Sequence, residues 1–183
     1  FTDFNNSLGA IYIVRDPRNV VTSFAHHYGL SIEQSTNIMI DEKKWLSKTD
    51  ITYKTFLGSW NINYNSWKQL GEKVLFVKYE DLVNKKKTIL IKIFKFIQNL
   101  GMQNLKLDMN KLNKVIKSTE FKTMQNLEKN QDFREGIIDQ KTKKRKIFFK
   151  YGPQNNWRES LDKTNREKLE KSFKKEMKEL EYL

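Results

Sequence analysis

Apolar positions along the chain form two short runs and a set of helical periodicities. Ala10 to Val14 is a run of β-branched and aromatic residues, the pattern of a strand covered on both faces. Val74 to Val77 is a second buried strand of the same kind. Asp16 is a good N-cap and Pro17 suits the first helical turn, so a helix opens directly after the first strand. Trp60, Tyr64 and Trp67 recur at three- and four-residue spacing, one face of a helix. Thr88 to Leu100 places Ile89, Ile93, Phe96, Ile97 and Leu100 on one amphipathic face. Thr164 to Leu180 does the same with Leu169, Phe173, Met177 and Leu180, and Thr164 with Glu167 makes a capping-box signature. The predicted order is strand, helix, helical insertion (Ser31 to Lys48), aromatic helix, strand, helix, helix, basic loop and C-terminal helix. No repeat is visible. The class is α/β, although two strands are too few for a doubly wound sheet.

Composition narrows the chemistry. At 183 residues the chain is one domain and can bury a real core. No uninterrupted apolar stretch approaches the ~20 residues of a membrane-spanning helix. The absence of Cys excludes a disulfide scaffold, an Fe–S site and a cysteine nucleophile. Only His26 and His27 are present, without a metal-ligand spacing, so a zinc motif has no support. The seven glycines form no nucleotide fingerprint. Thirty-five Lys and Arg against 22 acids give a formal charge of +13. The lysines are spread over the helices and the segment 139–150 and are not interleaved with aromatics as a stacking groove. The expectation is therefore a solvated basic surface that helps attract an anionic ligand rather than a nucleic-acid interface.

The strongest chemical signal is at the first strand–helix junction. Arg15 sits at the carboxyl end of a strand beside a helix N-terminus. Open α/β sheets bind ligands there, and backbone N–H groups with the helix dipole favour an anion. The guanidinium adds a planar fork of donors suited to phosphate. Ser23, about two turns on, adds a hydroxyl if the anion lies along the helix. The same residues also suit ordinary α/β punctuation with Arg15 paired to a nearby acid, and by themselves they do not choose.

The string Ile11-Tyr-Ile-Val-Arg15-Asp16-Pro17-Arg18-Asn19-Val-Val-Thr-Ser23 closely resembles the 3′-phosphate-binding motif of the PAPS-dependent sulfotransferases (PAPS, 3′-phosphoadenosine 5′-phosphosulfate). Further matches follow in the family's order. Gly58-Ser59-Trp60 with Trp67 resembles its Gly-Ser-Trp…Trp helix, with Asn63 where many members carry histidine. Tyr79-Glu80-Asp81 after the second strand resembles its Tyr-Glu-Asp. Thr119-Glu120-Phe121-Lys122-Thr123-Met124 resembles its Thr-Ser-Phe-Lys-x-Met. Lys150-Tyr151-Gly152-Pro153-Gln154-Asn155-Asn156-Trp157 partly matches its Arg-Lys-Gly-x-x-Gly-Asp-Trp loop, with Lys150 for arginine, Tyr151 for lysine and Asn155-Asn156 for Gly-Asp.

The resemblance covers Ile11 to about Leu180 and implies a P-loop-NTPase-like sulfotransferase fold, a parallel sheet flanked by helices. It implies PAPS as cosubstrate and no metal. Arg15 and Ser23 would hold the 3′-phosphate, with Lys150, Tyr151 and Gly152 closing over it. Tyr79, Thr119 and Phe121 would contact the adenine. The reaction implied is sulfuryl transfer to an acceptor hydroxyl or amine. The family's phosphate loop with its catalytic lysine, and its Lys-Thr-His segment with the catalytic base, have no match here. The expectation is a single partial domain over residues 1–183, with the N-terminal part missing, inactive alone and without a catalytic residue of its own. For His26 and His27, packing or a surface contact is the expected role, a base role the lesser alternative. Asp162 and Lys163 replace the Thr-Val of the family's dimer motif. The oligomer and the acceptor are unknown, and a cytoplasmic location is the default. Two other readings remain: a non-catalytic binder of adenosine 3′,5′-bisphosphate (PAP), and a basic nucleic-acid-binding module.

Overall fold

The structure, a computed structural model, describes residues 6–47, 53–130 and 146–183. In chain order its elements are β1 (Ala10–Val14), α1 (Pro17–Tyr28), α2 (Ile32–Ile40), β2 (Trp45–Leu46), β3 (Thr55–Phe56), α3 (Trp60–Lys68), β4 (Val74–Lys78), α4 (Tyr79–Asn84), α5 (Lys86–Asn99), α6 (Met109–Ser118), α7 (Phe121–Asn130), α8 (Trp157–Ser160), α9 (Lys163–Ser172) and α10 (Lys174–Glu179). The chain forms two compact units: Phe1–Arg15 with Leu70–Gln154, and Asp16–Gln69 with Asn155–Leu183. Most of the basic segment 139–150 lies outside the described residues.

In the first unit β1 and β4 run parallel, in register from Ala10↔Val74 to Val14↔Lys78. Both strands therefore end on the same edge. Val14 and Val77 are buried, and Tyr12 lies 5.4 Å from Phe76, its register partner. Burial pushes the Tyr12 phenol up to about 12. The expectation of two covered faces fails for β1: Ile11 and Ile13 are 40% and 52% exposed. Successive side chains point to opposite faces, and among the described residues only the Tyr12 and Val14 side of this strand is covered. Helices α4 and α5 pack against β4. Helix α5 opens at Lys86, two residues before the start its apolar spacing predicts. It pairs with α6, whose Asp108 cap accepts from Asn110 and Lys111 N–H. The Lys86 ammonium donates to the Thr119 carbonyl at 3.0 Å, and Gln98 Nε2 to Leu105 at 2.7 Å. The two helices are thus pinned at both ends.

The second unit is helical around Val21, Met39, Trp157, Leu161, Leu169, Phe173 and Met177. Helix α1 opens as its sequence predicts, with Asp16 as N-cap accepting from Arg18 N–H and Pro17 in the first turn. Helix α2 carries a complete capping box between Ser31 and Gln34. The insertion does not stay helical to Lys48. Asp41 turns extended (φ −75°, ψ 104°) and its side chain accepts from Lys43 N–H, which ends the helix. Trp45–Leu46 then pair antiparallel with Thr55–Phe56. In α3, Trp60 stacks on Tyr64 and lies 5.2 Å from Phe173, while the Tyr64 hydroxyl donates to Glu179 at 2.9 Å.

The C-terminal helix also departs from its reading. It starts at Lys163, one residue earlier, and its cap stands two residues earlier, because Asp162 rather than Thr164 caps it through Asn165 N–H. It breaks into α9 and α10 at Phe173 (φ −115°, ψ 18°). The four apolar residues read from its spacing are buried all the same. No helix among the described residues is long and apolar enough to cross a membrane.

Candidate functional site

The parallel register of β1 and β4 sets the geometry. Val14 and Lys78 are partners, so Arg15 and Tyr79 leave the two strands side by side. The Arg15 guanidinium carbon lies 4.2 Å from the centre of the Tyr79 ring, a cation–π distance that also holds the guanidinium plane. Arg15 Nη2 donates to the Gly152 carbonyl at 2.8 Å. Its Nε is buried and has no partner among the described residues. Burial pushes the Tyr79 phenol up, the Arg15 charge opposes this, and Glu80 adds to the rise.

Arg15 is paired with no carboxylate among the described residues. The acid beside it is already used: Asp16 accepts from Arg18 Nη2 at 2.8 Å, and Arg18 also donates to Glu170 and to the Tyr182 carbonyl at 2.7 Å. Arg18 additionally lies 4.1 Å over the Trp157 ring. Of two arginines three positions apart, Arg18 is spent on structure and Arg15 keeps donors to offer.

Gly152 packs directly on Phe121. A Cβ built on Gly152 would fall within the atoms of the Phe121 ring, and its φ of +48° lies in the left-handed region. Phe121 opens α7 and sits 6.2 Å edge-on to Phe149. Lys150 is exposed, its ammonium 4.9 Å over the Tyr151 ring. Thr119 ends α6, and its hydroxyl donates back to the Val115 carbonyl at 2.7 Å. That leaves the oxygen lone pairs as its free capacity.

In this way the first unit links Arg15, Tyr79, Gly152 and Phe121 by direct contact, with Thr119, Lys150 and Tyr151 as chain neighbours of those residues. Ser23 belongs to the second unit. There its Oγ lies 3.0 Å from the Nδ2 of Asn155, which is buried and also donates to the Asn19 carbonyl at 2.7 Å and to Thr22 Oγ1 at 2.8 Å. Asn156 is the N-cap of α8.

Asn155 entered the sequence analysis only as a departure from the family's loop, and Gln125 and Glu128 did not enter it. The latter two hold the backbone of Phe148 and Phe149. Their signal was present as spacing: Phe121, Gln125 and Glu128 stand at i, i+4 and i+7. Asn155 had no periodic signal. His26 and His27 lie in the last turn of α1, His27 against Tyr28. Among the described residues no group of His, Asp and Glu is arranged to hold a metal ion.

A parallel strand pair with helices packed on it is an α/β arrangement, and Arg15 stands at its carboxyl edge, where open α/β sheets place their ligands. The sulfotransferase domain model matches residues 3–181, and the chain belongs to that family. Solved structures share its fold. A mouse sulfotransferase, SULT7A1, complexed with PAP superposes with a TM-score of 0.62 at 24% identity, over 93% of this chain and 58% of that one. Retinol dehydratase with retinol and PAP gives 0.61 at 19% identity, over 93% and 48%. The same enzyme with androsterone and inactive cofactor PAP gives 0.59 at 20% identity, over 93% and 47%. The chain spans about half the length of these structures.

Proposed function

We propose that this chain supplies the 3′-phosphoadenosine-binding part of a PAPS-dependent sulfotransferase, an enzyme that moves a sulfuryl group to an acceptor hydroxyl or amine. The observation that carries the reading is Arg15. It is a guanidinium with a buried, unpartnered Nε, held against an aromatic ring at the carboxyl edge of a parallel sheet, without a carboxylate partner among the described residues. A buried donor without an acceptor costs free energy. A nucleotide phosphate would repay that cost, so the residues present fit the ligand. The family match and the PAP complexes of the compared structures support the same ligand. A single family match from residue 3 to residue 181 favours reading residues 1–183 as one functional domain.

When bound, PAPS supplies the sulfuryl group. Arg15 donates charge-assisted hydrogen bonds to the 3′-phosphate, and Tyr79 keeps the guanidinium oriented. Phe121 offers an apolar ring to the adenine, and Thr119 a hydroxyl near it. Lys150 adds a point charge, while Tyr151 and Gly152 form the loop beside it. These residues bind and orient. The general base and the cation that neutralises the leaving oxygen, both implied by the resemblance, are assigned to no residue here.

Calorimetric titration of the chain with PAP and with AMP tests the reading. Arg15→Ala is expected to weaken PAP binding about ten- to hundred-fold, since a hydrogen bond to a charged group contributes roughly 1.5–3 kcal/mol. AMP lacks the 3′-phosphate and should lose little. Equal losses for both nucleotides would make Arg15 structural and remove the reading.

A further inference from the structure

Two side chains of α7 take up the backbone of the loop that leads into Lys150, Tyr151 and Gly152. The Glu128 carboxylate accepts from the N–H of Phe148 through one oxygen and from the N–H of Phe149, at 2.9 Å, through the other. Gln125 Nε2 donates to the Phe149 carbonyl at 2.8 Å. Both backbone polar groups of Phe149 are therefore satisfied by one helix. A backbone outside any sheet ladder must find its partners elsewhere, and here it finds them in two side chains. Phe121, at the start of the same helix face, meets the loop again at Gly152. The Gly152 carbonyl then faces Arg15. One helix face thus touches the loop at three points, and the loop touches the arginine.

We infer that Glu128, assisted by Gln125, is a positioning residue of the nucleotide site. It holds the loop so that the Gly152 carbonyl occupies one Arg15 donor and aims the remaining donors. The inference rests on the nucleotide reading above. A carboxylate suits the task because its two oxygens span two successive N–H groups; an amide accepts through one oxygen only. Glu128 acts through the loop, and its removal leaves the Arg15–Tyr79 contact in place. Its effect should fall on recognition of the 3′-phosphate and spare the rest of the nucleotide. A site misplaced by about an ångström loses much of its advantage.

The test uses Glu128→Ala, Glu128→Gln, Gln125→Leu and Arg15→Ala, each titrated with PAP and AMP. Amide hydrogen exchange at Phe148 and Phe149 is measured in parallel. Glu128→Ala should weaken PAP about ten-fold and AMP less than about two-fold. Glu128→Gln keeps one acceptor and should lose less. Exchange at the two amides should quicken in the same order. If exchange quickens in Glu128→Ala while PAP binds as in the parent, the positioning role is wrong. If Arg15→Ala also fails to separate PAP from AMP, the nucleotide reading has failed instead. Should Glu128→Ala not fold, Glu128→Gln and Gln125→Leu decide: a PAP loss with AMP retained supports the role, and parental affinity for both overturns it.

Discussion

Arg15 and Arg18 carry the same guanidinium, yet their neighbours give them opposite duties. Arg18 is buried and pairs with Asp16 and Glu170, both side chains of the Asp16 pair being less than a tenth exposed. Breaking a buried ion pair from one side strands the partner charge and costs about 3–5 kcal/mol. Arg18→Met should therefore lower the urea midpoint strongly, whereas Arg15→Ala should leave it nearly unchanged. A large stability loss in Arg15→Ala would contradict this division. Gly152 supplies a second test at this scale. Its φ of +48° and the Phe121 ring in the path of any Cβ leave no room for a methyl. Gly152→Ala should destabilise by about 1–3 kcal/mol through strain and displacement of the ring. Thermal unfolding checks it, and an unchanged midpoint would show that the loop yields freely.

At the level of elements, the C-terminal helices show why a capping signature can be misread by two residues. Thr164 with Glu167 has the right spacing, but Asp162 is the residue whose side chain meets Asn165 N–H. The hydrogen bonds from Asn165, side chain first and backbone next, hold the Asp162 carboxyl below its ordinary value of 3.8. A depressed carboxylate pKa stabilises the fold above the unfolded value, and the contribution is lost as pH falls through the folded one. Asp162→Ala should cost about 1 kcal/mol at pH 7. Thr164→Ala should cost less than half that, and the gap between parent and Asp162→Ala should close below about pH 3.8. Equal costs would restore Thr164 as the cap.

In β1 the sign is reversed. Burial lifts Tyr12 from 10.0 to about 12. A raised folded pKa means that stability is full below pH 10 and falls as pH rises toward 12, by up to about 1.4 kcal/mol per pH unit. Tyr12→Phe keeps the contact with Phe76 and should flatten that alkaline loss. Urea midpoints at pH 8 and pH 11 decide, and identical slopes would mean that Tyr12 ionises freely in the folded state.

Across the whole molecule, a formal charge of +13 works against compaction and in favour of an anionic ligand. Screening acts on both. Raising NaCl from about 0.05 to 0.3 M should raise the thermal midpoint by relieving self-repulsion and should weaken PAP more than AMP. A falling midpoint would show that net ion pairing dominates instead. Much of the candidate site was legible in the chain because its parts follow strand ends and helix starts. Arg15 and Tyr79 each end an apolar run, and the chain marks those ends with Asp16-Pro17 and with Tyr79-Glu80-Asp81. The loop was less legible. Glu128 and Gln125 earn their place only by meeting a backbone some twenty residues away, and no local propensity encodes that distance.

The amino-acid order alone determined what short-range physics can determine. It determined the strand that must bury Val14, the helix that Asp16 and Pro17 open, the aromatic face of α3, and the order of motifs that marks the family. Tertiary structure decided everything that depends on a partner chosen from afar. The parallel register put Arg15 beside Tyr79, Glu170 and Asp16 claimed Arg18 and left Arg15 its donors, and Phe121 made glycine obligatory at position 152. It also left Ile11 and Ile13 open on a strand whose apolar run reads as covered on both faces. Propensity and periodicity act over a few residues, whereas the fate of a charge or an apolar face depends on which distant group reaches it first.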